Sequence, residues 1–342
     1  METMTFSDNG TKSETLLATL CHDIHTDGPT PVAASDLGAG DLVAGRYEVM
    51  ERLGYGSHGT TYRVFDIKAS REKVLKVFDE VIKEDEAAMA LIKETVRRAS
   101  INHPNIVRTG EVREGELAAM ERELLPGHSL AQVIRESPDG RLNEGLVIHI
   151  ARQMAQGLAY AHGADVLHLD LKPSNVILTD DGSAVLTDFG VTGALWDSAM
   201  PQHLGPRRHM APEVIHGMGV GKAADIYAFG AILYEMLTGK PPVTAENVAV
   251  ETLTRRPDPI SGVSKGLSRL VMRCLEKRAK DRFRGFDEVL VALETIHSHM
   301  QGALIEPKSS RISMVSLGFV LLGLSLLGSL GFWLYWFKSL SS

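Results

Sequence analysis

The chain has 342 residues, of which 44% are hydrophobic and 23% are charged, and its formal net charge is -7. This composition suffices for one large domain or two modest ones, and the acidic balance argues against a nucleic-acid partner, because phosphate backbones require a basic surface. The cysteines, Cys21 and Cys274, lie far apart in sequence. They predict neither a disulfide framework nor a zinc site and favour a reducing compartment.

The first 45 residues are rich in Thr, Ser, Asp, Gly and Pro, and they contain no apolar segment typical of a secretory signal. We predict that residues 1–45 form a flexible arm with at most one short helix, at about 14–20. The composition of this arm does not indicate a function.

From Arg46 onwards, short strand-like runs separated by glycines predict an antiparallel sheet. These runs are residues 47–53, 61–66 and 73–78. A helix is predicted next, at 83–100, and after about residue 130 the pattern is mostly helical. Further helices are predicted at 142–162, 223–237, 267–276 and 286–297. This order predicts an α+β fold in which a small sheet-rich lobe and a larger helical lobe enclose a cleft.

A G-x-G-x-x-G pattern lies between the first two strands. It comprises Leu53, Gly54, Tyr55, Gly56, Ser57, His58, Gly59, Thr60 and Thr61. Glycines let a backbone approach phosphate oxygens closely. A dinucleotide-binding fold would begin a helix at the last glycine, but the residues after it are typical of a strand, which favours a flap over ATP. An ordinary hairpin is the alternative.

Two charged residues follow the loop. Strand alternation places Lys76 on the same face as Val74, where its ammonium group would reach phosphates in a cleft; the alternative is an exposed edge-strand lysine. Glu94, on the predicted helix, would form an ion pair with Lys76, or else a surface pair with Arg98 at i, i+4.

The segment from Val166 to Asn175 reads V-L-H-L-D-L-K-P-S-N, and a later strand ends in T-D-F-G at Gly190. With these motifs the sequence resembles the eukaryotic-type (Hanks-type) serine/threonine protein kinase family, which includes membrane-anchored bacterial members, over about residues 47–296. The resemblance implies the bilobal protein kinase fold, ATP and Mg²⁺ as cofactors, and protein substrates.

The resemblance also implies residue roles. Asp170 would be the catalytic base and Lys172 its companion, while Asn175 and Asp188 would bind magnesium. The glycine loop, Lys76 and Glu94 would hold ATP. Three elements outside the cleft match family positions as well: Ala211-Pro212-Glu213 at the end of the activation segment, Asp225 behind the catalytic loop, and Arg282 as the buried partner of Glu213.

Three residues depart from the family pattern. Leu169 replaces an arginine that clamps a phosphorylated activation loop, which predicts activity independent of loop phosphorylation at Thr192 or Ser198. Pro206 replaces a threonine that bonds the catalytic aspartate. Arg122 falls at the position that gates the pocket behind adenine, where it would compete with Lys76 for Glu94; a shifted alignment would place Met120 there instead.

A stretch without charged residues, 312–337, predicts one C-terminal transmembrane helix, flanked by basic residues and containing interfacial aromatic residues. We therefore expect a kinase domain at 46–300 (N-lobe about 46–125, C-lobe about 126–300), a juxtamembrane linker at 301–311, the span, and a short tail at 338–342. The localisation expected is the membrane, with the kinase domain in the cytosol. Ser325 and Ser329 form a small-x-x-x-small pair compatible with a homodimer.

Two other function classes remain open at this point. A pseudokinase would keep the fold as a membrane-bound scaffold without turnover, but such scaffolds usually lack one of the five polar residues Lys76, Glu94, Asp170, Asn175 and Asp188, all of which are present. A small-molecule kinase usually lacks the Lys-Pro-x-x-Asn loop and the Ala-Pro-Glu segment. An active protein kinase is the reading we favour.

Overall fold

The computed structural model describes residues 37–56, 58–99, 102–113, 117–189, 191–192 and 208–305. Several predictions fall outside these ranges: most of the arm with its short helix, Ser57, Ser198, Pro206 and the apolar stretch 312–337. Among the described residues, no helix combines the length and the apolar character needed to cross a membrane. The membrane span therefore stays a prediction.

An antiparallel sheet forms most of the N-terminal lobe. Its strands are β1 (Leu42–Val43), β2 (Tyr47–Gly56), β3 (Gly59–Asp66), β4 (Arg71–Phe78), β5 (Thr109–Arg113) and β6 (Ala119–Glu123). In the described part of the chain the strand order is β1-β2-β3-β4-β6-β5, with antiparallel neighbours. The sheet confirms the three predicted strands. It begins at Leu42, inside the segment that the sequence analysis assigned to the arm.

Two helices, α1 (Glu80–Lys83) and α2 (Glu86–Ala99), replace the single helix predicted at 83–100. Glu84 and Asp85 separate them, and Oδ1 of Asp85 accepts a hydrogen bond of 2.9 Å from the backbone N–H of Ala88. A side chain of this type satisfies a donor that has no partner in the first turn of a helix. The chain therefore starts a new helix after Asp85.

The C-terminal lobe is mainly helical. Its helices are α3 (Leu130–Glu136), α4 (Glu144–Gly163), α5 (Pro212–Ile215), α6 (Lys222–Thr238), α7 (Val248–Thr254), α8 (Lys265–Cys274) and α9 (Phe286–Ile305). A small antiparallel sheet accompanies them: β7 (Gly127–Ser129), β8 (Val176–Thr179) and β9 (Ala184–Leu186). The helix α9 continues past Glu294, where the compact unit that holds both lobes ends.

Helix α4 carries a predicted apolar stripe, of which Ile150, Met154 and Leu158 are fully buried, whereas Leu146 in the first turn is exposed. Helix α6 is buried on nearly every face, as expected for a helix at the centre of a lobe. These observations confirm the predicted order of a small sheet-rich lobe followed by a larger helical lobe.

Candidate active site

A cleft with a volume of about 410 Å³ opens between the two lobes. Its walls come from the β2–β3 hairpin, from β4, from the segment that joins the lobes, and from the loop that follows α4. Glycine-loop residues, charged residues and possible metal ligands are among those that line it: Leu53, Gly54, Tyr55, Gly56, Thr61, Val74, Lys76, Arg122, Lys172, Asn175 and Asp188. The cleft therefore brings together residues that are far apart in sequence.

The glycine loop is the turn of an antiparallel hairpin in which Gly56 is paired with Gly59. Gly59 has a φ of 136°, and a Cβ at this position would collide with the carbonyl oxygen of Val77 on the neighbouring strand. Only glycine combines this backbone conformation with so close an approach. The loop geometry thus depends on the last glycine of the motif.

The predicted loop residues separate into two groups. Leu53, Gly54, Tyr55, Gly56 and Thr61 line the cleft. The others described are buried elsewhere: His58 is 1% exposed and Thr60 is 5% exposed, and neither they nor Gly59 line the cleft. The imidazole Nε2 of His58 lies 3.4 Å from the hydroxyl of Thr192. His58 therefore faces the start of the activation segment.

Lys76 lies in the cleft, as the alternation of β4 predicted. Its side chain is 5% exposed, and its Nζ donates a hydrogen bond of 2.8 Å to Oδ2 of Asp188. Lys73, on the opposite face of the same strand, instead joins a polar network with Asp66 and Glu121 at 3.1 and 2.9 Å. The two lysines of this strand thus have different partners, and the edge-strand alternative for Lys76 is wrong in this structure.

Glu94 does not form the predicted ion pair with Lys76. Its side chain is 41% exposed and accepts hydrogen bonds from Arg97 at 2.8 Å and from Arg98 at 2.9 Å. These bonds hold the pKa of the Glu94 carboxyl at about 2. The surface pair with Arg98, which the sequence analysis kept as the alternative, is the arrangement that the structure contains.

The physical reason lies in the apolar face of α2. Ala88, Ile92 and Val96 recur at i, i+4 and are buried in one cluster, which also contains Val191 from the start of the activation segment. Residues two positions apart on a helix do not share a face, so Glu94 lies opposite Ile92 and Val96. Packing of the apolar face therefore turns Glu94 away from the cleft.

The Asp188 carboxylate is hydrogen-bonded to two cationic side chains. Its Oδ2 accepts a hydrogen bond from Nζ of Lys76, and its Oδ1 accepts one of 3.2 Å from Nη1 of Arg122. Burial would raise the pKa of the Asp188 carboxyl, but the positive charges of Lys76 and Arg122 outweigh it and hold the pKa well below its ordinary value. The carboxylate is thus ionised at neutral pH. The predicted competition of Arg122 with Lys76 for Glu94 is not present; both cations bind Asp188 instead.

The ungapped placement of Arg122 agrees with the strand register. Arg122 is paired with Val74 and lines the cleft, whereas Met120 is paired with Lys76 and is buried in the cluster against α2. The residues that join the lobes directly after Arg122, 123–125, also line the cleft. The shifted alignment with Met120 at the gate position is therefore wrong.

Asp170 lies in the loop after α4 and is 6% exposed. Its Oδ2 accepts a hydrogen bond from Lys172 Nζ at 2.8 Å. Asn175 donates through Nδ2 to the backbone carbonyl of Asp170 at 2.8 Å and to its Oδ2 at 3.3 Å. These contacts fix the Asp170 side chain beside the cleft that contains Lys172 and Asn175.

Asp225 on α6 is hydrogen-bonded to the backbone of the loop that carries Asp170. Its carboxylate accepts hydrogen bonds of 2.8 Å from the backbone N–H groups of His168 and Leu169, and a third of 2.8 Å from His162 Nε2. Leu169 has a φ of 58°, a conformation that costs on the order of 1–3 kcal/mol for most side chains. Asp225 thus holds a strained backbone next to Asp170, in the buttressing position that the sequence analysis assigned to it.

The end of the activation segment is also anchored as predicted. Arg282 donates to both carboxylate oxygens of Glu213, at 2.6 and 2.8 Å, and its side chain is fully buried. Of the loop hydroxyls named as candidates for phosphorylation, Thr192 is buried at 2% exposure. The other, Ser198, and the substituted Pro206 lie outside the described residues.

Sequence reasoning missed several cleft residues, among them Ser129, Gln132 and Ile177. It also missed the bond from His162 to Asp225. An S-x-x-Q pattern marks the start of α3, where the Ser129 hydroxyl accepts a hydrogen bond of 3.3 Å from the N–H of Gln132, but it does not indicate that this end of the helix lies at the cleft. That position, like the contact of His162, depends on segments distant in sequence. The pairing of Arg122 with Asp188 belongs to the same class.

Comparison with known proteins adds the family. The model of the protein kinase domain family matches residues 47–299. The chain is 30% identical over 272 residues to a probable serine/threonine-protein kinase of Clostridium acetobutylicum, covering 76% of this chain and 41% of that protein. It is 28% identical over 270 residues to the serine/threonine-protein kinase PknB of Mycobacterium leprae, covering 74% of this chain and 43% of that protein. The chain thus spans less than half the length of these curated relatives.

A solved structure gives a similar result. The PknI kinase domain of Mycobacterium tuberculosis, crystallised as a double mutant, matches with a TM-score of 0.64 and 27% identity. The match covers 76% of this chain and 99% of that domain. The shared region is therefore the bilobal domain itself.

Proposed function

The chain belongs to the protein kinase family, and from this premise we propose that it is a serine/threonine protein kinase that uses ATP and magnesium. One observation carries the proposal: Lys76, Asn175 and Asp188 line a single cleft, and Asp170 is hydrogen-bonded to Asn175 beside it. The serine/threonine-protein kinases among the relatives support the same class of acceptor.

The donor set in the cleft fits magnesium that is bound together with a nucleotide. Asn175 uses Nδ2 as a donor to Asp170, so its Oδ1 is the atom that a metal would contact, and Asp188 contributes a carboxylate. Magnesium prefers such oxygens and commonly takes one or two protein ligands besides phosphates and water. Among the described residues, no three or more His, Cys, Asp or Glu side chains form a group that could hold a metal ion. Magnesium bound together with a nucleotide does not require such a group, because phosphates and water supply its other ligands.

In this proposal, some cleft residues would align the reacting groups and others would offset the negative charge of the phosphates. Mg–ATP, when bound, supplies the phosphoryl group and much of the positive charge that its transfer requires. Lys76 would hold phosphate oxygens through its ammonium group, and the glycine loop would cover them with backbone N–H groups. Glu94 has no part in this proposal, because it is bound to Arg97 and Arg98 on the outer face of α2.

Asp170 would orient the incoming hydroxyl and accept its proton at a carboxylate oxygen. The hydrogen bonds from Lys172 and Asn175 hold this carboxylate in one position. Lys172 would also offset negative charge near the transferred group. General-base catalysis by a positioned carboxylate contributes about a hundredfold to ten-thousandfold to a rate.

The test is transfer of labelled phosphate from ATP, with magnesium, to a generic protein substrate, followed by identification of the phosphorylated residue. We expect Asp170→Asn to bind nucleotide like the wild type but to lose about a hundredfold to ten-thousandfold in turnover. Asp165→Asn is the matched control, because Asp165 lies in the same loop with a side chain that is 90% exposed. Equal turnover of the Asp170 variant and the wild type would contradict the assignment.

A pseudokinase scaffold is the second candidate. The observations that favour it are the outward position of Glu94 and the ion pair between Arg122 and Asp188. The same assay separates the two candidates, since a scaffold would transfer no phosphate that depends on Asp170.

We also propose that residues 312–337 tether the kinase domain to a membrane, with residues 46–300 in the cytosol. The support is the absence of charged residues in this stretch of the sequence. Full-length protein should remain with the membrane fraction after a high-salt wash, and a version that ends at Ile305 should be released. Release of both forms would refute the tether without affecting the kinase proposal.

A further inference from the structure

Arg122 is a cation inside the cleft that the proposed mechanism does not use. It lies on β6, where it pairs with Val74 and lines the cleft together with Lys76 and Asp188. Its side chain is only 14% exposed, and Nη1 lies 3.2 Å from Oδ1 of Asp188. Arginine at this point places a permanent positive charge beside the carboxylate expected to bind magnesium.

The two oxygens of Asp188 are each occupied by a different cation: Oδ2 by Lys76 and Oδ1 by Arg122. One negative charge therefore faces two positive charges in a largely buried site. A divalent ion on Asp188 would add two more positive charges within a few ångströms of the guanidinium. Such charges repel each other strongly where water is largely excluded.

Other contacts indicate that the guanidinium depends on Asp188. The Nε atom of Arg122 is buried and has no hydrogen-bond partner in the described part of the chain. Glu94, a carboxylate that could have bound one of the two cations, is instead bound to Arg97 and Arg98 on the outside of α2. Arg122 would thus give up a charged partner if a metal ion replaced it on Asp188.

We propose that Arg122 determines the cation affinity of this site, because it competes with a divalent metal ion for Oδ1 of Asp188. This inference rests on the proposed function, since it takes Asp188 as a metal ligand. It goes beyond that function because it assigns Arg122 the role of an internal counter-ion that lowers metal affinity. Metal would then bind well only together with a nucleotide, whose phosphates provide both further ligands and a new partner for Arg122.

The experiment measures binding, so it does not depend on turnover. Full-length protein in detergent is titrated with Mn²⁺ alone, followed by electron paramagnetic resonance, and then with a fluorescent ATP analogue at increasing Mg²⁺. The variants are Arg122→Met, which removes the charge and keeps an unbranched side chain, Arg122→Gln, which is neutral and polar, and Arg122→Lys, which keeps the charge. Arg108→Met is the control, because Arg108 is an exposed arginine outside the cleft, and Asp188→Asn identifies the site.

We expect Arg122→Met and Arg122→Gln to bind Mn²⁺ about tenfold more tightly than the wild type. The Mg²⁺ concentration for half-maximal uptake of the ATP analogue should fall by a similar factor. A tenfold change in affinity corresponds to about 1.4 kcal/mol. Arg122→Lys should stay within about twofold of the wild type, because the lysine keeps a positive charge beside Asp188. Arg108→Met should also stay within about twofold, because Arg108 lies outside the cleft. Asp188→Asn should abolish the tighter site in every background.

Mn²⁺ affinity in the neutral variants that equals or falls below that of the wild type would overturn the inference, provided that circular dichroism shows them folded. If Arg122→Met does not fold, Arg122→Gln tests the same prediction. The role of charge would be refuted by an Arg122→Lys variant that binds metal as tightly as the neutral variants do. A wild-type protein that takes up no ATP analogue at any Mg²⁺ concentration would refute the proposed function instead. The Mn²⁺ titration would still decide the role of Arg122.

Discussion

The buried pair of Arg282 and Glu213 gives the sharpest stability prediction. The Arg282 side chain is fully buried, and all three of its nitrogens donate hydrogen bonds. The acceptors are both oxygens of Glu213 and the backbone carbonyls of Ala223, Glu276 and Lys277. Its guanidinium also lies 5.0 Å from the ring centre of Tyr227. These contacts tie the end of the activation segment to α6 and to the loop before α9.

Removal of one partner leaves the other buried and uncompensated, which costs about 3–5 kcal/mol for pairs of this kind. We expect Arg282→Met and Glu213→Gln each to lower the free energy of unfolding by about that amount, with Glu213→Gln nearer the low end because its amide can still accept one hydrogen bond. The combined variant should lose less than the sum, since the charges no longer leave each other unpaired.

The measurement is urea unfolding followed by circular dichroism at 222 nm, with the four proteins of the double-mutant cycle compared in one buffer. Arg256→Met is the control, because Arg256 forms an exposed pair with Glu276 at 2.9 Å and its side chain is 74% exposed. That variant should lose at most about 1 kcal/mol. The reasoning is wrong if Arg282→Met is no more destabilised than the control, or if the two single losses add in the double variant.

Three further predictions concern single residues. Glu94→Ala should change phosphate transfer by less than about twofold, because in the described part of the chain the Glu94 carboxylate is bound by the exposed arginines Arg97 and Arg98; a loss above about tenfold would mean that α2 turns during turnover. Gly59→Ala should lower the free energy of unfolding by more than about 1 kcal/mol, whereas Gly54→Ala, where a Cβ meets nothing within 4 Å, should leave it nearly unchanged in the same urea titration. Burial raises the pKa of the Cys274 thiol to about 12; since this thiol ionises near pH 8.5 once unfolded, stability should fall as the pH rises from about 9 to 12, and Cys274→Ala should flatten that decline.

Local patterns were sufficient for much of the fold and part of the site. Strand alternation correctly placed Lys76 and Val74 on one face of β4, which lines the cleft, and the residues after the last glycine form a strand and not a helix, as predicted. The position of Asp225 behind the catalytic loop and the pair of Glu213 with Arg282 followed from family motifs, and both contacts are present. The first two features depend on short stretches of chain with a strand pattern, whereas the last two join segments distant in sequence and were predicted from the family resemblance.

Glu94 is a different case, because the face of the helix on which it lies can be read from the sequence. The apolar residues Ala88, Ile92 and Val96 repeat at i, i+4 in the printed sequence, and this stripe determines which face of α2 is buried. A glutamate two residues from two members of the stripe lies on the other face. The family motif pairs Glu94 with Lys76, but in this structure the helical pattern is the better guide.

The sequence alone determined three of the six strands of the larger sheet, the longer helices, and which polar residues could meet in a cleft, because periodicity and glycine conformation act over a few residues. Only the tertiary structure decided how the charges in that cleft are paired. Asp188 is bound by Lys76, which is 112 positions away, and by Arg122, which is 66 positions away. Such partners are selected by the packing of β4 and β6 against the loop that follows β9, and Coulombic attraction in a site with little water favours the cations that this packing brings closest.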